Sequence, residues 1–210
     1  MNVLIINASP RPKGTSAMLA AMCAEHLEKG GLRVERLNLY PSLKNPEALY
    51  ASVGRADTVV LSGPCYVNTY PADVTAFLEG LAAHPEALKG QRLYGIIQGG
   101  MPYAHTHECG LTMLQLFARQ CGLKYMGGFV MGLGAMLNGA PIDKLFNAKK
   151  VRRLLGVFFD HILKGEPSPR QLYLGAQLKL PAFAARLLAM AANKGIDKQL
   201  KALEGQTISK

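Results

Sequence analysis

Two cations and four small or hydroxylated residues crowd one short stretch, "NASPRPKGTSAML" from Asn7 to Leu19. Arg11 and Lys13 supply the charge, and Ser9, Gly14, Thr15 and Ser16 supply hydroxyls and close backbone approach. A plain turn needs two to five residues and no particular charge. Here the loop follows the apolar run "VLII" (Val3 to Ile6) and precedes a helical pattern. A helix that starts near Thr15 aims unpaired N–H groups and the positive end of its dipole at that loop, which favours an anion. The hydroxyls add donors, and Arg11 adds a charged fork suited to phosphate. The alternative reading of this stretch alone is a capped helix with a solvated Arg and Lys. The Gly–Lys–Ser/Thr order of a triphosphate loop is absent, as is a GxGxxG after the first strand. "GLGAML" (Gly132 to Leu137) matches a dinucleotide motif only loosely. The loop therefore suits a monophosphate.

Two further loops carry chemistry. "GPCYVNTYPADV" offers Tyr66 and Tyr70, with Asn68 between prolines, so that a planar ring could lie against Tyr66 and meet the backbone of 64–68. A surface turn whose tyrosines pack on the next helix is the plainer reading. In "QGGMPYAHTHEC", Gly99 and Gly100 let backbone approach a ligand closely. His105, His107 and Glu108 resemble a metal set, but the spacing is not that of helix ligands and no second cluster completes it. They read as solvated histidines near a helix start, and no metal is expected.

The elements that must position these loops alternate along the chain. "NVLII", "RVERLNL", "TVVLSG", "RLYGIIQGG" and "KYMGGFVMG" read as five strands. Helical patterns separate them over 15–30, 46–57, 72–82 and 106–122, and a last one spans 142–165. Such alternation implies right-handed βαβ units and a parallel sheet covered on both faces. Ligands in such folds bind beyond the carboxyl ends of the strands, where all three loops lie. The expected fold class is α/β, a flavodoxin-like, doubly wound, five-stranded parallel sheet. Its domain is expected over 1–165, with a basic, partly amphipathic helical extension over 166–210.

Composition bounds the rest. The 210 residues suffice for one domain with a sizeable core. Cys23, Cys65, Cys109 and Cys121 lie far apart without a CxxC pair, and no signal segment or membrane-length apolar run is present, so reduced thiols in the cytoplasm are expected. The net charge of +10 is uneven: residues 1–142 hold 11 Lys and Arg against 9 Asp and Glu, whereas 143–210 hold 13 against 5. A nearly neutral core argues against a nucleic-acid groove through it. In the tail, Phe183, Leu187, Leu188, Met190 and Ala191 form an apolar stripe among cations. A helix packed on its own domain or on a second copy is the favoured reading. A peripheral membrane contact is the sharper alternative.

The three motifs in order, over residues 1–165, resemble the NADPH-dependent FMN reductase family of flavodoxin-like NAD(P)H-dependent oxidoreductases. Ser9, Pro10, Arg11, Thr15 and Ser16 fill its S-P-R-x-x-x-[NS]-[TS] motif, and Pro64, Tyr66 and Pro71 fill P-x-Y-x-x-x-x-P. Gly99 and Gly100 follow the fourth strand as the third motif does. The resemblance implies that Ser9, Arg11, Thr15 and Ser16 hold the phosphate of FMN. It implies that Pro64, Cys65, Tyr66, Val67, Asn68, Gly99, Gly100, Met101 and Tyr103 flank the isoalloxazine. It further implies hydride transfer from NAD(P)H to the flavin, no catalytic acid or base from the protein, and a homo-oligomer. Electrons would pass to a small acceptor such as free flavin or a quinone. The alternative is an FMN-binding electron carrier reduced by a protein partner. Many relatives carry a Lys and an Asp-Arg on the helix after the second motif, where this chain has Thr75 and Glu79-Gly80.

Overall fold

The computed structural model describes residues 1–178 and, beyond them, residues 181, 183, 186, 187, 189, 190, 193–197 and 200. Five strands form one sheet: β1 (Asn2–Asn7), β2 (Arg33–Asn38), β3 (Thr58–Pro64), β4 (Arg92–Gln98) and β5 (Lys124–Met131). Their order is β2-β1-β3-β4-β5, and all four pairings are parallel. That order is the flavodoxin-like one, with its switch point between β1 and β3. The α/β fold expected from the sequence is the fold observed.

The helices are α1 (Thr15–Lys29), α2 (Leu39–Ser42), α3 (Pro46–Arg55), α4 (Ala72–Ala82), α5 (Glu108–Gln120), α6 (Gly134–Leu137), α7 (Ala148–Lys164) and α8 (Gln171–Ala176). In α1, Leu19, Cys23 and Leu27 recur at helical spacing and are buried, with Ala20 and Ala24 beside them. The helix closes where Leu32 N–H donates to Leu27 O at 3.1 Å and Gly31 N–H to Glu28 O at 3.0 Å, the double bond of a Schellman end. Helix α7 buries Val151, Leu155, Phe158, Phe159 and Ile162, while Lys149, Lys150, Arg152 and Arg153 face away. Tyr94 of β4 and Phe129 of β5 meet Phe158 at ring-centroid distances of 6.2 and 5.8 Å. Each such fully buried side chain contributes about 1.5–3 kcal/mol of apolar burial.

Three strands are buried almost throughout, as the sandwiching of a parallel sheet requires. Strand β2, whose sequence alternates apolar and polar residues, is more exposed. It is an edge, and Arg33, Glu35, Arg36 and Asn38 are exposed on it. Charge on an edge strand blocks pairing with another sheet.

The first compact unit runs from Met1 to Leu178, so the expected junction at 165/166 falls inside it. Helix α8 belongs to that unit, with Tyr173 and Ala176 buried. In the second unit, Lys179–Lys210, the described Phe183, Leu187 and Met190 are helical and exposed. Leu188 and Ala191 of the expected stripe lie outside the described residues. Among the described residues no helix is long and apolar enough to cross a membrane.

Candidate functional site

At the carboxyl ends of β1, β3 and β4, a cleft of about 170 Å³ is lined by Ser9, Arg11, Gly14, Thr15, Pro64, Cys65, Tyr66, Gln98, Gly99, Ala135 and Asn138. It brings together residues from all three loops singled out in the sequence. A larger depression of about 370 Å³ lies at the other ends of β1 and β2, between Arg33, Glu35 and Arg55, and none of the three loops reaches it.

The first loop is tied down by its own side chains. Asn7 Oδ1 accepts from Ser9 N–H at 3.3 Å, and Ser9 Oγ accepts from Arg11 N–H at 3.1 Å. No side chain caps the amino end of α1, so its first amides face the loop without a side-chain partner. Arg11 Nη1 donates to Asn138 Oδ1 at 3.2 Å from an exposed position. The three hydroxyls differ in what they have left to give. Thr15 Oγ1 donates its proton to Gly134 O at 2.9 Å and accepts from Gly139 N–H at 3.1 Å, so its donor is spent. Ser9 Oγ accepts, and Ser16 Oγ accepts from Gln98 Nε2 at 3.3 Å, so each keeps a proton to donate.

Those partners of Thr15 reveal a fourth loop, residues 132–139 after β5, that reading the sequence missed. It crosses the first loop: a Cβ on Gly139, which sits at φ +87°, would fall 2.2 Å from Lys13 O. Leu133 and Asn138 also adopt left-handed backbone. Leu133 N–H donates to Met101 O and Ala135 N–H to Gly99 O, at 3.0 and 3.2 Å, binding this loop to the third as well. The signal available was the clustering of Gly132, Gly134 and Gly139 with an Asn, which read only as a failed dinucleotide motif.

The second loop splits in two. Tyr66 is half-exposed and lines the cleft, but Tyr70 does not join it. Tyr70 is a core residue whose hydroxyl donates to Ile96 O at 3.1 Å, and burial pushes its phenol well above the usual range. Tyr66, against which the sequence reading placed a planar ring, is the tyrosine of this loop that lines the cleft. Cys65 N–H donates to Gln98 O at 2.7 Å, pinning this loop to β4. Burial also raises the Cys65 thiol, which keeps it protonated, with Sγ against Thr106 O at 3.7 Å. Val67 and Asn68 form the tip, with φ of 49° and 70°. The Val67 side chain points to solvent and does not line the cleft.

In the third loop, the expectation of two solvated histidines holds for one of them. His105 is exposed and stacks on Tyr103 at 5.7 Å, whereas His107 is only 3% exposed. Its Nε2 lies 3.1 Å from Met101 O, and because a carbonyl only accepts, Nε2 carries the proton. The ring sits so close under Gly99 that a Cβ there would fall 2.3 Å from it. Gly99 thus has to be glycine for packing, beside any closeness to a ligand. Gly100 and Met101 follow it at the surface, and Met101 is 60% exposed. Among the described residues, no three His, Cys, Asp or Glu side chains gather as a metal set.

Gln98 is the other residue reading the sequence missed. It ends the apolar β4, lines the cleft, is buried, donates to Ser16, and leaves its Oε1 without a partner among the described residues. A polar residue that closes an apolar strand just before two glycines was the available signal. The cleft lining thus combines Arg11, Ser9 and the start of α1 with the aromatic Tyr66. A cation with uncapped helix amides suits the phosphate of FMN, and an aromatic side chain suits its ring.

The comparisons agree with this reading of the fold. The model of a family described as NADPH-dependent FMN reductase matches residues 1–135. The chain belongs to that family. No curated protein matches it in sequence. Among solved structures it is similar to a flavone reductase at 13% identity and a TM-score of 0.60, covering 80% of this chain and 66% of that one. An apo NADH:FMN oxidoreductase is similar at 20% identity and a TM-score of 0.59, covering 82% of this chain and 93% of the other. General stress protein 14 of Treponema denticola, solved with FMN, is similar at 16% identity and a TM-score of 0.54, covering 78% and 98%. At such identities the likeness is one of fold.

Proposed function

We propose that this protein is an FMN-containing oxidoreductase that takes a hydride from NAD(P)H and passes the electrons to a small acceptor such as free flavin or a quinone. The observation that carries the reading is the polarity of the cleft. Its lining joins cationic Arg11, Ser9 and the uncapped start of α1 to the uncharged aromatic Tyr66. The family description supports both the nicotinamide donor and the flavin.

In this reading Arg11, Ser9 and the first α1 amides hold the phosphate, with Thr15 bracing the loop that carries them. Gln98 would orient Ser16 through the bond from its Nε2 to Ser16 Oγ. Tyr66 would lie against the ring. Bound FMN supplies the redox chemistry: it takes up a hydride and gives up electrons in pairs or singly. The protein's part is binding, orientation and electrostatics, so no side chain has to move a proton. Arg11 also places positive charge beside the phosphate end.

Anaerobic addition of NADPH or NADH to the FMN-loaded protein tests this directly. Bleaching of the flavin's visible absorbance, at a rate that saturates with the nucleotide, is the expected result. Bound FMN that neither nucleotide bleaches would assign the chain to electron carriage instead.

A further inference from the structure

The tip of the second loop holds a residue that its own turn does not want. Tyr66 N–H donates to Thr69 O at 2.7 Å and Thr69 N–H to Tyr66 O at 3.3 Å, closing a two-residue turn around Val67 and Asn68. Both central residues have positive φ, which makes the turn type I′, the geometry that selects Asn and Gly. Asn68 complies. Val67 is β-branched, and such a residue at φ 49° is an outlier. Burial often repays strain of this kind, but Val67 is 95% exposed among the described residues. Strain held at the rim of a cleft without an internal return points to a contact with something outside the chain.

The surroundings give that contact its chemistry. From Gly63 to Pro71 and from Gln98 to Ala104 there is no charged residue. These two loops are joined at Cys65 N–H and Gln98 O, and they expose Tyr66, Val67, Met101 and Tyr103. Aromatic and thioether side chains suit a flat apolar ring. An anion seated among them would lose water without gaining a counter-charge.

We propose that the Tyr66–Thr69 turn seats the electron-accepting substrate, and that Val67 selects uncharged aromatic acceptors over anionic ones. The proposal rests on the reading that FMN fills the adjacent cleft. In the overall reaction NAD(P)H, one proton and a quinone give NAD(P)⁺ and the hydroquinone. Both electrons and one hydrogen come from the nicotinamide, and the second proton comes from solvent.

The test compares FMN-loaded wild type, Val67→Asn and Val67→Ile with two acceptors, duroquinone and ferricyanide. Duroquinone is uncharged, and its blocked ring positions cannot add the exposed Cys109 thiol. Val67→Asn suits the turn, so its thermal midpoint rises by roughly 2–4 °C. At the same time its kcat/KM ratio for duroquinone over ferricyanide falls roughly 5–10-fold through the lost apolar contact. Val67→Ile keeps both the strain and the apolar surface, and holds the wild-type ratio within about twofold. An unchanged ratio in Val67→Asn with FMN still bound overturns the proposal alone, and so does a rise in the KM for NAD(P)H in place of the acceptor. A midpoint that does not rise removes the strain on which the argument stands. A wild type that binds no FMN overturns the flavin reading, and the proposal falls with it.

Discussion

At the Ser9–Thr15 end of the cleft each side-chain hydroxyl already has a partner within the chain, whereas the Tyr66–Asn68 end holds an exposed valine in a left-handed turn. The first end is braced by a second layer: Thr15 ties α1 to the 132–139 loop, and that loop ties back to Gly99 and Met101. Such preorganisation suits a ligand that stays, because the cost of ordering the loop is met by folding and not by binding. The second end spends stability on apolar surface that faces water. That arrangement suits a molecule that arrives, reacts and leaves. On the proposed reading, resident cofactor and passing substrate differ in whether the loop they meet is braced by the rest of the chain.

Substitutions can break or sharpen that contrast. The largest effect is expected where the braced layer meets the ring end, at Gly99→Ala. Its new Cβ collides with the His107 ring, so stability falls by about 1–3 kcal/mol through overpacking. The displaced backbone slows reduction by nicotinamide on the order of 100-fold. Adding His107→Ala removes the collision, and recovery of reduction rate in the double variant, followed by stopped-flow absorbance, would locate the damage in that contact. A smaller loss is expected for Thr15→Val, which leaves Gly139 N–H and Gly134 O without their partner. Denaturant unfolding is expected to show about 1–3 kcal/mol of lost stability. Smaller still is Tyr66→Ala, which removes one aromatic contact. FMN and riboflavin should both weaken roughly 5–10-fold in fluorescence titrations, leaving their ratio unchanged, because the ring end does not read the phosphate.

Much of the fold could be read from the chain because four of its strands are short apolar runs followed or closed by Gly, Pro or Asn, and its helices bury one face at regular spacing. Helix α4 was expected over 72–82 and spans Ala72–Ala82. The last helical pattern was expected from residue 142, but the structure makes one 3₁₀ turn at Ile142–Lys144 and begins α7 at Ala148. The three site loops were legible because phosphate and ring recognition need particular residue types at strand ends. What could not be read was burial fixed by distant partners. Tyr66 and Tyr70 look alike four residues apart, yet one meets solvent and the other donates to the β4 backbone. His105 and His107 differ in the same way, since only the second lies beneath Gly99. The 132–139 loop was hidden because its work is done by backbone groups and left-handed residues, which no motif of side-chain types records.

The most direct test of the account is the ratio of FMN to riboflavin affinity, measured by fluorescence titration of flavin-stripped wild type and Arg11→Ala. The two ligands differ only in the phosphate. A charge-assisted Arg–phosphate contact is worth about 1.5–3 kcal/mol, so the wild type should prefer FMN by at least roughly 10–100-fold. Arg11→Ala should lower that preference by about the same factor and leave riboflavin binding unchanged. Equal affinity of the wild type for both ligands, or a preference that survives the substitution intact, would contradict the assignment of the Ser9–Ser16 loop as the phosphate end of a flavin site.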